Sequence, residues 1–109
     1  MTLSEILTAC GDLEIVEKRS IDNEYNELVF LNKEIDQWKT ILSEICGPPI
    51  KPAGIKPTAE DLMTTKDYGG IFNNQTLFKK EFDNGTIIAM FWPWQDSVHV
   101  TLKMALLNK

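Results

Sequence analysis

The apolar residues of this chain follow two different periods. Leu28, Leu31, Ile35, Trp38, Leu42 and Ile45 recur at alternating steps of three and four, the seam of one helix face, and Tyr25, Phe30 and Ile41 broaden it. Asp22 or Asn23 can cap the start, Glu24 and Glu27 suit the positive end of the helix dipole, and Gly47-Pro48-Pro49 stops the run. The spacing predicts one long helix over residues 23–46, about 35 Å at 1.5 Å per residue. Shorter helical signals flank it. Thr2 and Glu5 form a capping box ahead of Leu3, Ile6, Leu7 and Cys10, with Gly11 as a left-handed stop, and Thr58 and Asp61 repeat the device later. Between residues 13 and 19 the apolar positions alternate weakly, which suits a strand or a second helical stretch.

From Ile71 onward the period drops to two. Asn84-Gly85 sits between LFKKEF and IIAMFW, a hairpin signal that predicts pairing of Phe82 with Ile87 and of Phe78 with Phe91. Val98, Val100, Leu102, Met104 and Leu106 then alternate with His99, Thr101, Lys103 and Ala105. A further strand around Gly70-Ile71-Phe72 is compatible with the pattern. The expected fold is α+β: one long helix packed on a three- to four-stranded antiparallel sheet, a C-terminal meander, with short N-terminal and middle helices. With 109 residues the chain supports a single domain. It divides into a helical half (1–47), a proline-rich connection (48–57), a short helix (58–66) and the antiparallel sheet (70–108).

Phe78, Phe82, Ile87 and Phe91 are expected to share the sheet side that meets the long helix. Leu77, Ile88, Met90 and Trp92 then fall on the other side, among Lys79, Glu81, His99, Thr101 and Lys103. A strand that is apolar front and back needs a cover on both faces. The second cover could be the proline connection, the N-terminal helix, a second copy of the chain or a ligand. Pro93 cannot donate to a ladder and should end its strand or mark an edge, with Trp92 and Trp94 at the bend. These indoles either cap the end of the core or form a lip for a partner, where Trp is enriched.

Charge and candidate chemistry narrow the function classes. The net charge of −5 is uneven: residues 1–47 hold four cationic and ten acidic side chains, and residues 48–109 hold seven lysines and six acids. With a single arginine and no basic face in view, the chain does not read as a nucleic-acid binder. The start has no basic or apolar leader pattern, and the longest apolar run is Ile87–Trp92, so the expected location is cytoplasmic with no membrane span. Two glycosylation-type tripeptides, at Asn74 and Asn84, are read as turn chemistry. Cys10 and Cys46 have no metal or redox spacing and read as reduced, half-buried thiols. His99, the single histidine, has no partner set for nucleophilic or metal chemistry, so no catalytic residue, metal ligand or cofactor is assigned.

Two readings remain. The first is a non-enzymatic interaction module that self-associates or docks on a protein partner through Leu77, Ile88, Met90, Trp92, Trp94 and His99. The second is a small-ligand-binding protein or minor enzyme with an apolar ligand in a pocket near Trp92, Trp94, Tyr68 and His99.

Overall fold

A computed structural model describes residues 1–107 of the chain. The elements run α1 (Leu3–Ala9), β1 (Glu17–Ile21), β2 (Tyr25–Leu31), a 3-10 turn (Asn32–Glu34), α2 (Ile35–Cys46), α3 (Ala59–Thr65), a 3-10 turn (Lys66–Tyr68), β3 (Thr76–Phe82), β4 (Gly85–Pro93) and β5 (His99–Leu107). The class is α+β, with all five strands in one antiparallel sheet of order β1-β2-β5-β4-β3. The expected three to four strands become five because the N-terminal half contributes a hairpin. The predicted strand at Gly70-Ile71-Phe72 does not form, and the sheet boundary expected at residue 108 lies outside the described residues. No helix among them is long and apolar enough to cross a membrane.

The single long helix expected over 23–46 is corrected: its first third is strand β2, and α2 begins only at Ile35. The Asp22 carboxylate explains why the signal misled. Its Oδ1 accepts from the amides of Glu24 and Tyr25, both at 2.8 Å. An aspartate that gathers amides two and three residues on is what a helix N-cap requires, but here it closes the turn between β1 and β2. Once β2 pairs along its whole length with β5, from Tyr25 with Ala105 to Leu31 with His99, the ladder overrides the helical spacing. Both short helices carry the expected capping boxes, at Thr2–Glu5 and Thr58–Asp61. Gly11, however, does not take the left-handed φ expected of a stop.

The C-terminal hairpin forms with a shifted register. Phe82 pairs with Gly85, Lys80 with Ile87 and Phe78 with Ala89, so the loop residues are Asp83 and Asn84. Neither loop residue has positive φ, so the mirror-image turn expected of Asn-Gly is not used. Gly85 serves a close approach instead: a Cβ there would lie 2.6 Å from the Leu107 carbonyl oxygen, at a φ of 138°. The shift is by two residues, so every side chain keeps its face.

The first face of the sheet is covered as the alternation requires. Leu28, Phe30, Phe78, Ile87, Phe91, Leu102 and Met104 pack against Leu3 and Ile6 of α1 and Trp38 and Leu42 of α2. Trp38 stacks on Phe30 with ring centroids 4.7 Å apart, and Phe91 meets Phe30 edge-on at 5.7 Å.

The second face is covered by the chain's own connection between α2 and β3. Ile71 packs with Leu77, Ile88, Met90 and Ala105 in a separate buried cluster, joined by half-buried Tyr68, Trp92, Tyr25 and Leu107. Leu77, Ile88 and Met90 are at most 1% exposed, each contributing on the order of 1.5–3 kcal/mol before chain entropy is subtracted. Lys51 pins this cover. Its backbone bridges the β3 edge, donating to the Leu77 carbonyl at 3.3 Å and accepting from the Leu77 amide at 2.9 Å. Its side chain is 1% exposed, and Nζ donates to the carbonyls of Pro52 (3.0 Å), Asn73 (2.9 Å) and Gln75 (2.5 Å). Burial pushes the ammonium below the ordinary lysine range while the Asp61 carboxylate pulls it back up. A buried cation is tolerated where every donor is used, and three donors here meet three carbonyls.

The substitution Lys51→Met keeps the aliphatic stem but removes all three bonds: the Gln75 carbonyl loses its ammonium partner, while the Asn73 and Pro52 carbonyls keep only the amides of Gly54 (2.6 Å) and Ile55 (3.4 Å). Urea unfolding should show a loss of about 2–4 kcal/mol. A loss below about 0.5 kcal/mol would mean that the ammonium does not hold the cover.

Candidate functional site

The cover stops partway across the second face. Its limit is the stacked pair Tyr68 on Tyr25, ring centroids 5.6 Å apart, the first from the connection and the second from β2. Beyond this rim, over β1, β2 and β5, lies a band of aromatic and charged side chains.

Alternation places them there. Tyr25 and Glu27 on β2, and His99, Thr101 and Lys103 on β5, share one face, with Glu27 opposite Lys103 and Leu31 opposite His99. An irregularity in β1 between Lys18 and Ser20 adds Arg19 to the same face. The Arg19 guanidinium lies 2.7 Å from Glu17 and 3.5 Å from Glu27, and 5.5 Å from the Trp94 ring centroid. Hydrogen bonding to Glu17, then to Glu27, raises its already high pKa. Glu27 also accepts from the Tyr25 hydroxyl at 2.6 Å. Burial, reinforced by that carboxylate, raises the Tyr25 phenol well above its usual range.

Lys103 stands 3.5 Å over the Trp92 ring and donates to the Tyr68 carbonyl at 3.0 Å. Burial lowers its pKa. Gly69 abuts both groups: a Cβ at that position would sit 2.5 Å from Trp92 Cη2 and 3.0 Å from Lys103 Nζ. Gly69 therefore supplies both a φ of 95° and the room for the indole. The Trp92 Nε1 donor is buried and unpaired.

Trp94 begins the turn into β5. Its Nε1 donates to Thr101 Oγ1 at 2.8 Å and its ring centroid lies 4.8 Å from that of His99. Pro93 is the last residue of β4, opposite Val100, where its lack of an amide proton suits the end of the ladder. Asp96 folds the turn: Oδ1 accepts from the amides of Val98 and His99, and Oδ2 lies 2.6 Å from His99 Nδ1. These contacts, the His99 side chain first and the two amides next, lower the Asp96 carboxyl from 3.8 to about 2.

The six residues singled out in the sequence therefore separate. Leu77, Ile88 and Met90 lie under the cover and offer no surface, which corrects their placement on an open apolar face. Trp92, Trp94 and His99 remain partly exposed. Arg19, Tyr25, Glu27 and Lys103 join them, around buried Thr101. Tyr25 and Glu27 escaped notice because they were read as helix; the alternation of Tyr25, Glu27, Val29 and Leu31 was the available signal. Two hollows occur elsewhere: about 420 Å³ between α1 and α2, and about 360 Å³ beside Leu31, Lys33, Ser97 and Val98. Neither is lined by Trp92, Trp94, Tyr68 or His99, so the pocket expected beside these residues is not one of them.

Burial holds both thiols up, Cys10 to about 11, so they stay protonated at neutral pH. No group of three or more histidine, cysteine or acidic side chains able to hold a metal occurs among the described residues. The fold and site thus define an α+β domain whose antiparallel sheet is covered on one face by helices and on part of the other by the chain's own connection, leaving an aromatic, charge-paired half-face. In comparisons with known proteins the chain matches no family model, no curated protein and no solved structure.

Because folding holds the Asp96 carboxyl below its ordinary value, its contribution to stability is full above pH 3.8 and fades as the pH falls towards about 2. Carboxyl NMR titration should place its midpoint near 2, and His99→Ala should move it part of the way back to 3.8. An unchanged midpoint in the variant would show that the backbone amides alone set it.

Proposed function

We propose that this chain is a small, non-enzymatic, cytoplasmic interaction module that docks on a protein partner through the uncovered half of its second sheet face. The observation that carries this reading is the grouping of Trp94, Trp92, Tyr25 and Tyr68 around Arg19 on a rigid sheet. Trp, Tyr and Arg are the residue types that dominate interface energetics, because they bury large areas and still present polar ends. Their order is set before any partner arrives. Arg19 is oriented by Glu17 and Glu27, Trp94 by Thr101 and His99, and Trp92 by Gly69 and Lys103. Such preorganisation lowers the entropy cost of binding. The ion pairs are partly exposed, with the Arg19 side chain at 41% and Glu27 at 22%, so a partner could shield them without having to break them.

The test uses the native chain as bait beside Trp94→Ala and Arg19→Ala. A partner captured by the native chain is purified and titrated calorimetrically. Each variant should weaken its binding by about 2 kcal/mol, roughly thirtyfold, while leaving the unfolding midpoint nearly unchanged. Equal affinity in all three chains would overturn the proposal. Light scattering distinguishes self-association: a dimer that dissociates in Trp94→Ala would make the partner a second copy.

A further inference from the structure

We propose that the groove between α1 and α2 receives a cationic, amphipathic segment of a protein partner. This surface lies on the helical layer, on the far side of the sheet from the aromatic half-face, and does not depend on the reading given above. The groove encloses about 420 Å³. Its floor is apolar, formed by buried Cys10 and half-buried Leu13 and Ile41. Its rim carries two exposed carboxylates: Asp12, in the turn after α1, and Asp36, in the first turn of α2. Burial holds the Cys10 thiol protonated, so the floor is uncharged at neutral pH.

Charge complementarity selects the occupant. Neither Asp12 nor Asp36 joins an ion pair among the described residues. Lys39, the cation on the same helix, sits 5.9 Å over the Phe91 ring and lies within electrostatic reach of Asp36 without closing an ion pair with it. An apolar floor between unpaired carboxylates fits a segment that presents an apolar side chain flanked by lysine or arginine. An acidic segment would meet two like charges at the rim. Thr40 adds no competing donor, because its hydroxyl is already bonded to the Asp36 carbonyl at 2.8 Å.

The probes are two amphipathic peptides with the same leucine pattern, one built with lysine and the other with glutamate, titrated into the full ¹⁵N-labelled chain. The lysine peptide should shift amides of residues 9–13 and 36–41, and the glutamate peptide should shift none of them. Asp12→Asn with Asp36→Asn should weaken the lysine peptide at least about tenfold. Both side chains are exposed, and an unchanged circular dichroism spectrum and melting temperature confirm the fold of the variant. The proposal is overturned by no shift at millimolar peptide, by equal response to both peptides, or by shifts confined to the sheet face around Trp94.

Discussion

Strand β4 sets the central constraint on this molecule. From Ile87 to Phe91 every residue is buried, and alternation sends Ile87, Ala89 and Phe91 to one face and Ile88 and Met90 to the other. A sheet with such a strand must be covered twice. Two helices supply the first cover through ordinary apolar packing. The second cover is a connection that buries Ile71 but leaves Ile50, Ile55, Leu62, Met63 and Phe72 exposed, and a buried ammonium holds it. Lys51 gathers the carbonyls of Pro52, Asn73 and Gln75 while its backbone extends the β3 edge at Leu77. A loop laid over a sheet has peptide carbonyls outside any ladder, and a cation with three donors ties three of them to one point, adding to the amides of Gly54 and Ile55 that already reach Asn73 and Pro52. Proline suits this track because it gives up no hydrogen bond that the ladder needs.

That arrangement also explains where the functional surface falls. The connection reaches as far as Tyr68 and Gly69, which clasp Trp92 and hand over to Tyr25. Past that rim the sheet carries paired charges and aromatic rings instead of an apolar sheet. The glutamates flanking Arg19, and Lys103 over Trp92, keep this half-face wet and ordered. The cover and the half-face are consequences of one decision, namely how far residues 48–75 extend across the strands.

Much of this was legible in the residues, and the failures have physical causes. Both capping boxes, the C-terminal strands and the two-faced character of β4 follow from spacing alone. The hairpin of β1 and β2 did not, because Leu28 and Leu31 fit a helical seam as well as a strand, and Asp22 performs the same amide-gathering at a turn as at a helix start. Pairing of β2 with β5 decides between these, and it joins residues as far apart as Tyr25 and Ala105, out of reach of any local pattern. The site was half visible: Trp92, Trp94 and His99 stood out by type and position. Arg19 did not, because its place on the face depends on an irregularity in β1. The burial of Leu77, Ile88 and Met90 hinged on Lys51, and nothing about an isolated lysine in a proline-rich stretch announces a buried clamp.

The most direct measurement of the double cover is methyl NMR of the native chain with a soluble paramagnetic agent. Ile88 and Met90 methyls should be as protected as Ile87, which lies under the helices, while Met63, 69% exposed, should broaden strongly. Broadening of Ile88 and Met90 to the extent seen for Met63 would show the second face open to solvent and contradict the account.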